Sequence, residues 1–124
     1  MTTVAATKMG SSIIDSDKVE GTAVYDPNGA KIGSIDRLLI EKVSGRVVYA
    51  VMTFGGFLGM GTEEYTIPWN KLNYDTRFGG YRTDITEQQL KGSPTFYRDN
   101  DYSWDNRTRE QELYNYWNVP AYWD

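Results

Sequence analysis

The residues with chemistry to offer begin with a glycine-rich segment, Gly55-Gly56-Phe57-Leu58-Gly59-Met60-Gly61. Backbone N–H groups of such loops can cradle phosphate. The spacing here fits neither G-x-G-x-x-G nor the P-loop, which needs Lys and then Ser or Thr where this chain has Thr62-Glu63. The glycines read better as a tight bend between strands, with Phe57, Leu58 and Met60 capping one mouth of a small barrel. Insertion of that apolar tip into a protein partner, or its contact with a membrane, is the alternative reading. Asp15-Ser16-Asp17 and Asp99-Asn100-Asp101 offer hard oxygen ligands, but neither continues into the glycine and distal Glu of a calcium loop. Glu63 and Glu64 are neighbours on an expected strand, so they point to opposite faces and cannot flank one bond.

The chain has no His and no Cys, which removes imidazole bases, thiolate nucleophiles and the common zinc ligands. Ser34, Ser44 and Ser93 therefore have no His to activate them, and Lys31, Lys42 and Lys91 form no recognisable Ser-Lys arrangement. The expectation is a protein that is not an enzyme, with no cofactor, no metal and no catalytic residue. One binding pattern remains. Lys71, Tyr74, Arg77, Tyr81 and Arg82 interleave cations with rings, as single-stranded RNA recognition requires, although alternation of core and surface positions produces the same pattern without a ligand. With 13 basic against 17 acidic residues the net charge is -4, which disfavours a polyanion and leaves RNA or ribosome association as the secondary reading.

Elements must position these residues, and 124 residues suffice for one ordinary domain. Residues 1–18 are small and polar without periodicity and read as a flexible leader. From 19 to 94 short β-type runs alternate with turn signals, the pattern of a small barrel or sandwich. Residues 23–25 lead into Asp26-Pro27-Asn28-Gly29, a turn that uses the fixed φ of Pro and the tolerance of Asn-Gly for positive φ. The return strand, 32–41, breaks strict alternation at Ile35, Leu38, Leu39 and Ile40, which predicts a bulge or a strand covered on both faces. The run 47–54 is the strongest β signal and is expected to be the central strand. A strand at 64–67 stops at Pro68-Trp69, residues 72–76 and 81–83 form a last hairpin, and Thr86 with Gln89 predicts a capped short helix ended by Gly92 and Pro94.

Residues 95–124 hold nine of the chain's four Phe, ten Tyr and four Trp. Thr108 and Gln111 predict the cap of a helix running to about Trp117, with Leu113, Tyr114 and Trp117 on one face and Asn118 and Pro120 ending it. Ordering this segment costs about 45 kcal/mol at about 1.5 kcal/mol per residue, and burying nine rings returns roughly the same amount. Order therefore requires a docking surface for the rings, either the chain's own barrel or a second subunit's. Tyr114, Trp117, Tyr122 and Trp123 are the residues expected to make that contact.

Gly21-Thr22-Ala23-Val24-Tyr25-Asp26-Pro27-Asn28-Gly29, Lys31-Ile32-Gly33-Ser34-Ile35, Val47-Val48-Tyr49-Ala50-Val51, the glycine-rich segment, Ile67-Pro68-Trp69 and Leu72 follow one another in an order and spacing that resemble the PRC-barrel family. That family is named for the cytoplasmic domain of the photosynthetic reaction-centre H subunit, and its barrel is shared with the C-terminal domain of a ribosome-maturation factor. The final Val119-Pro120-Ala121-Tyr122-Trp123 looks like the end of stand-alone bacterial members. The resemblance implies a mainly β fold, a small and strongly bent barrel with one short helix, used for protein–protein assembly without catalysis. The expected partner is another protein or a second copy of the chain, a homodimer. A peripheral adaptor of a membrane complex working through Phe57, Leu58 and Met60 is a further alternative. Neither photosynthesis nor ribosome maturation follows. No apolar run approaches the length of a membrane span and no secretory signal is read at the start, so a cytoplasmic address is expected.

Overall fold

The computed structural model describes residues 12–55, 64–94 and 107–124. Within them the chain is mainly β: α1 (Ser16–Val19), β1 (Ala23–Tyr25), β2 (Lys31–Ile40), β3 (Val47–Thr53), β4 (Glu64–Pro68), a 3-10 turn (Trp69–Lys71), β5 (Asn73–Asp75), β6 (Gly80–Arg82), α2 (Glu87–Gly92) and α3 (Arg107–Trp117). The six strands form one sheet in the order β4-β3-β2-β1-β6-β5, antiparallel except for the parallel pair of β1 with β6. The sheet does not close, so the expected barrel is an open one.

Turn chemistry sets the hairpins. The Asp26 carboxylate accepts from the Asn28 and Ala30 N–H groups at 2.9 Å each, while Gly29 takes φ +88° and donates to the Asp26 carbonyl. The broken alternation in β2 is a bulge, seen as register shifts between Ile35 and Arg37 and between Leu39 and Ile40. At Gly33 a Cβ would lie 2.1 Å from the Thr53 carbonyl oxygen, so β2 reaches β3 this closely only with glycine there. β3 is not the geometric centre of the sheet as expected. It lies one strand in from the β4 edge. Its middle five residues are nonetheless all buried, because the C-terminal segment covers one face.

The capping box of α2 forms as expected: Gln89 N donates to the Thr86 hydroxyl at 3.2 Å, and Thr86 N donates to the Gln89 amide oxygen at 2.9 Å. Among the described residues α3 spans Arg107–Trp117, which places Thr108 inside the helix rather than at its cap. Its end matches expectation. Asn118 adopts φ 57°, and Val119 N donates to the Tyr114 carbonyl across the turn.

Leu113, Tyr114 and Trp117 face the sheet with Ala121, and all are buried in the same core as Val24, Ile35, Met52, Phe54 and Ile67. Residues 107–124 therefore dock on the chain's own sheet. Among the described residues no helix is long and apolar enough to cross a membrane.

Candidate functional site

Two regions collect the residues that sequence reasoning singled out. The first is the seat of the C-terminal segment. The Tyr49 ring on β3 lies 5.5 Å from Tyr114 and 6.2 Å from Tyr122, Trp123 meets Tyr114 edge-on at 5.6 Å, and the Arg107 guanidinium covers the Trp123 ring at 4.2 Å. Polar ties hold the end of the chain. Arg46 Nη2 donates to the Tyr122 carbonyl at 3.1 Å, and the Tyr116 hydroxyl donates to the Gln89 carbonyl at 2.5 Å.

Sequence reasoning missed one member of this seat, Glu110, which is 1% exposed and accepts from the Tyr49 hydroxyl at 2.5 Å. Its position was legible, since 110, 113, 114 and 117 share one helical face, but its polarity argued for the solvent side. Burial and the Glu110 carboxyl push the Tyr49 hydroxyl far up, and burial pushes Tyr114 up to about 12. Tyr114 and Trp117 are thus consumed inside the molecule, and Tyr122 and Trp123 are partly buried. Phe57, Leu58 and Met60 lie outside the described residues.

The second region is the β5–β6 hairpin. Its turn residues Arg77 and Phe78, with Arg82 on β6, lie over the β1–β2 turn, where the Phe78 ring is 5.0 Å from Tyr25. Asp75 ties the two arginines: Oδ1 accepts from Arg77 N and Nε at 2.9 and 3.1 Å, and Oδ2 accepts from Arg77 Nη2 at 2.8 Å and Arg82 Nη1 at 3.2 Å. The Arg77 side chain beside it holds the Asp75 carboxyl well below the usual carboxylate range. Arg82 Nη2 also donates to the Pro27 carbonyl at 2.6 Å.

Beside the hairpin opens a cleft of about 500 Å³ whose wall includes Lys71, Tyr74, Arg82 and Thr83. Lys71 is paired with Asp84 at 2.7 Å, which lowers the Asp84 carboxyl below its usual range. The structure therefore gathers Lys71, Tyr74, Arg77 and Arg82 at one end of the sheet. Tyr81 is not part of that surface: it is 5% exposed, and its ring packs edge-on against Trp69 and Tyr74.

The acidic candidates are separated. The Asp15 carbonyl accepts from Lys18 N and Val19 N at the start of α1, Glu64 pairs with Arg37 at 3.2 Å, and residues 99–101 lie outside the described part. Asp36, near Glu64, is raised by burial and then by that neighbour. No group of three metal-ligating side chains occurs among the described residues.

With this geometry in place, comparison with known families is decisive for kinship. The PRC-barrel domain model matches residues 12–90. This chain belongs to the PRC-barrel family. The match starts before α1 and ends inside α2, so the C-terminal helix lies beyond the part of the PRC barrel that the family model describes.

An uncharacterized protein of Deinococcus radiodurans is 31% identical over 83 residues, 67% of this chain and 29% of that protein. Sulfate adenylyltransferase subunit 2 of Hahella chejuensis is 34% identical over 59 residues, 48% of this chain and 20% of that protein. The chain thus spans less than a third of the length of either relative. Among solved structures, the 16S ribosomal RNA processing protein RimM of Pseudomonas aeruginosa is similar over 60% of this chain and 45% of its own, at 23% identity and a TM-score of 0.39.

Proposed function

We propose that this PRC barrel is a non-catalytic protein–protein interaction module. The observation that carries the reading is the hairpin end of the sheet, where the half-exposed rings of Tyr74 and Phe78 stand beside Arg77 and Arg82. Arginine and aromatic residues presented together on a firm β scaffold are what dominates binding energy at protein interfaces. Tyr114 and Trp117 are packed in the chain's own core and take no part in that surface. A second copy of the chain, as a homodimer, is one candidate partner.

The RNA reading has less support. Lys71, Arg77 and Arg82 are each paired with Asp84 or Asp75, and Tyr81 offers no face for stacking.

The test is cross-linking of the full chain in native extract, identification of the linked protein, and reconstitution from purified components by calorimetry. A reconstituted 1:1 or 2:2 complex that survives nuclease is expected. Failure of every cross-linked candidate to bind in purified form, or loss of the complex on nuclease treatment, overturns the module reading.

A further inference from the structure

Asp75 is directed inward, its side chain 12% exposed, whereas the side chain of Arg77 is 71% exposed. The carboxylate takes four N–H groups and so immobilises both guanidinium groups, each with its Cζ 5.6 Å from the Phe78 ring centre. Arg77 Nη1 and Arg82 Nε keep N–H groups with no acceptor among the described residues. A fork fixed in advance meets a second carboxylate at little entropic cost, and guanidinium–carboxylate geometry favours paired N–H···O bonds.

We propose that the β5–β6 hairpin docks an acidic segment of a partner protein. A Glu or Asp carboxylate of that segment meets Arg77, and a neighbouring aromatic or apolar side chain lies on Tyr74 and Phe78. The inference rests on the interaction-module reading and names the chemistry of its partner.

Charge decides against a nucleic acid at the same place. Lys71, Arg77 and Arg82 are each already paired, with Asp84 or Asp75, on a chain of net charge -4. The N–H groups left on Arg77 and Arg82 suit one carboxylate, whereas a phosphate backbone needs a run of uncompensated cations. Distant acidic groups of the chain repel the segment little, because exposed charges are screened beyond about 8 Å at physiological ionic strength.

Fluorescence anisotropy on the full chain tests this with three labelled probes: a ten-residue peptide alternating Glu and Tyr, the same peptide with Gln for Glu, and a ten-nucleotide oligouridylate. Saturable binding of the Glu peptide is expected, with affinity reduced about tenfold by Arg77→Gln and less by Arg77→Lys, which keeps the charge but loses the fork. The Gln peptide should bind at least about tenfold more weakly than the Glu peptide. No binding of the Glu peptide, equal affinity for wild type and Arg77→Gln, or tighter binding of the oligouridylate would each overturn the proposal. If the hairpin fails this test while a reconstituted partner still binds, the module stands and docks elsewhere; if no partner is reconstituted either, both readings fall.

Discussion

Single side chains of this protein carry more of its tertiary bonding than their types announce. Tyr114 shows this through its proton. Burial holds its hydroxyl at about 12 in the folded chain, against an ordinary 10.0. A pKa raised on folding means that the native state binds the proton more tightly, so the associated stability is whole below pH 10 and is lost as pH rises from 10 towards 12. Thermal melts between pH 9 and 12 should therefore fall more steeply for wild type than for Tyr114→Phe. Parallel curves would show that the buried hydroxyl adds nothing to alkaline sensitivity. At this scale the sequence was legible for capping and turns, where a residue bonds to a neighbour a few positions away, as Thr86 does with Gln89. It was silent on Glu110, whose partner Tyr49 is on another element.

Among the elements, the decisive contact is the close approach of β2 and β3. A Cβ on Gly33 would overlap the Thr53 carbonyl, and neither strand can retreat without breaking the register that runs from Ser34↔Thr53 to Ile40↔Val47. Gly33→Ala should cost at least about 2 kcal/mol, read as a lower midpoint in urea with an unchanged slope. A control at Gly55, where a Cβ would meet nothing within 4 Å among the described residues, should leave the midpoint nearly unchanged. Bulge, hairpins and short helix were all legible in the residues, since period and turn chemistry are local. The parallel pairing of β1 with β6 was not, because its partners Val24 and Tyr81 are brought together by chain geometry rather than by a turn.

For the whole molecule, the docked C-terminal segment completes a core that the strands alone leave open on the Tyr49 side. Removing residues 95–124 takes Leu113, Tyr114, Trp117 and Ala121 out of that core and uncovers Tyr49. The truncated chain is expected to melt at least about 10 °C lower, as lost burial of this size implies for a domain of this length. An unchanged melting temperature would mean that the segment is an appendage. The open edges of the sheet, β4 and β5, differ in the same sense. β4 is buried over four of its five residues, while β5 is exposed at Asn73 and Tyr74 and lines the cleft. Of the two edges, β5 is the one left open to solvent.

Composition and local order alone determined that this chain lacks imidazole and thiol chemistry, that its middle is built of short strands, and that nine crowded rings at one end need something to cover. These follow from residue identity and from spacings of a few positions. Only the tertiary structure decided that Tyr114 and Trp117 settle on their own sheet, that a carboxyl is buried with them, and that Asp75 turns two arginines into a fixed fork. Those outcomes depend on which surfaces meet across tens of residues, and hydrophobic burial is non-directional, so it names a need for contact without naming the partner.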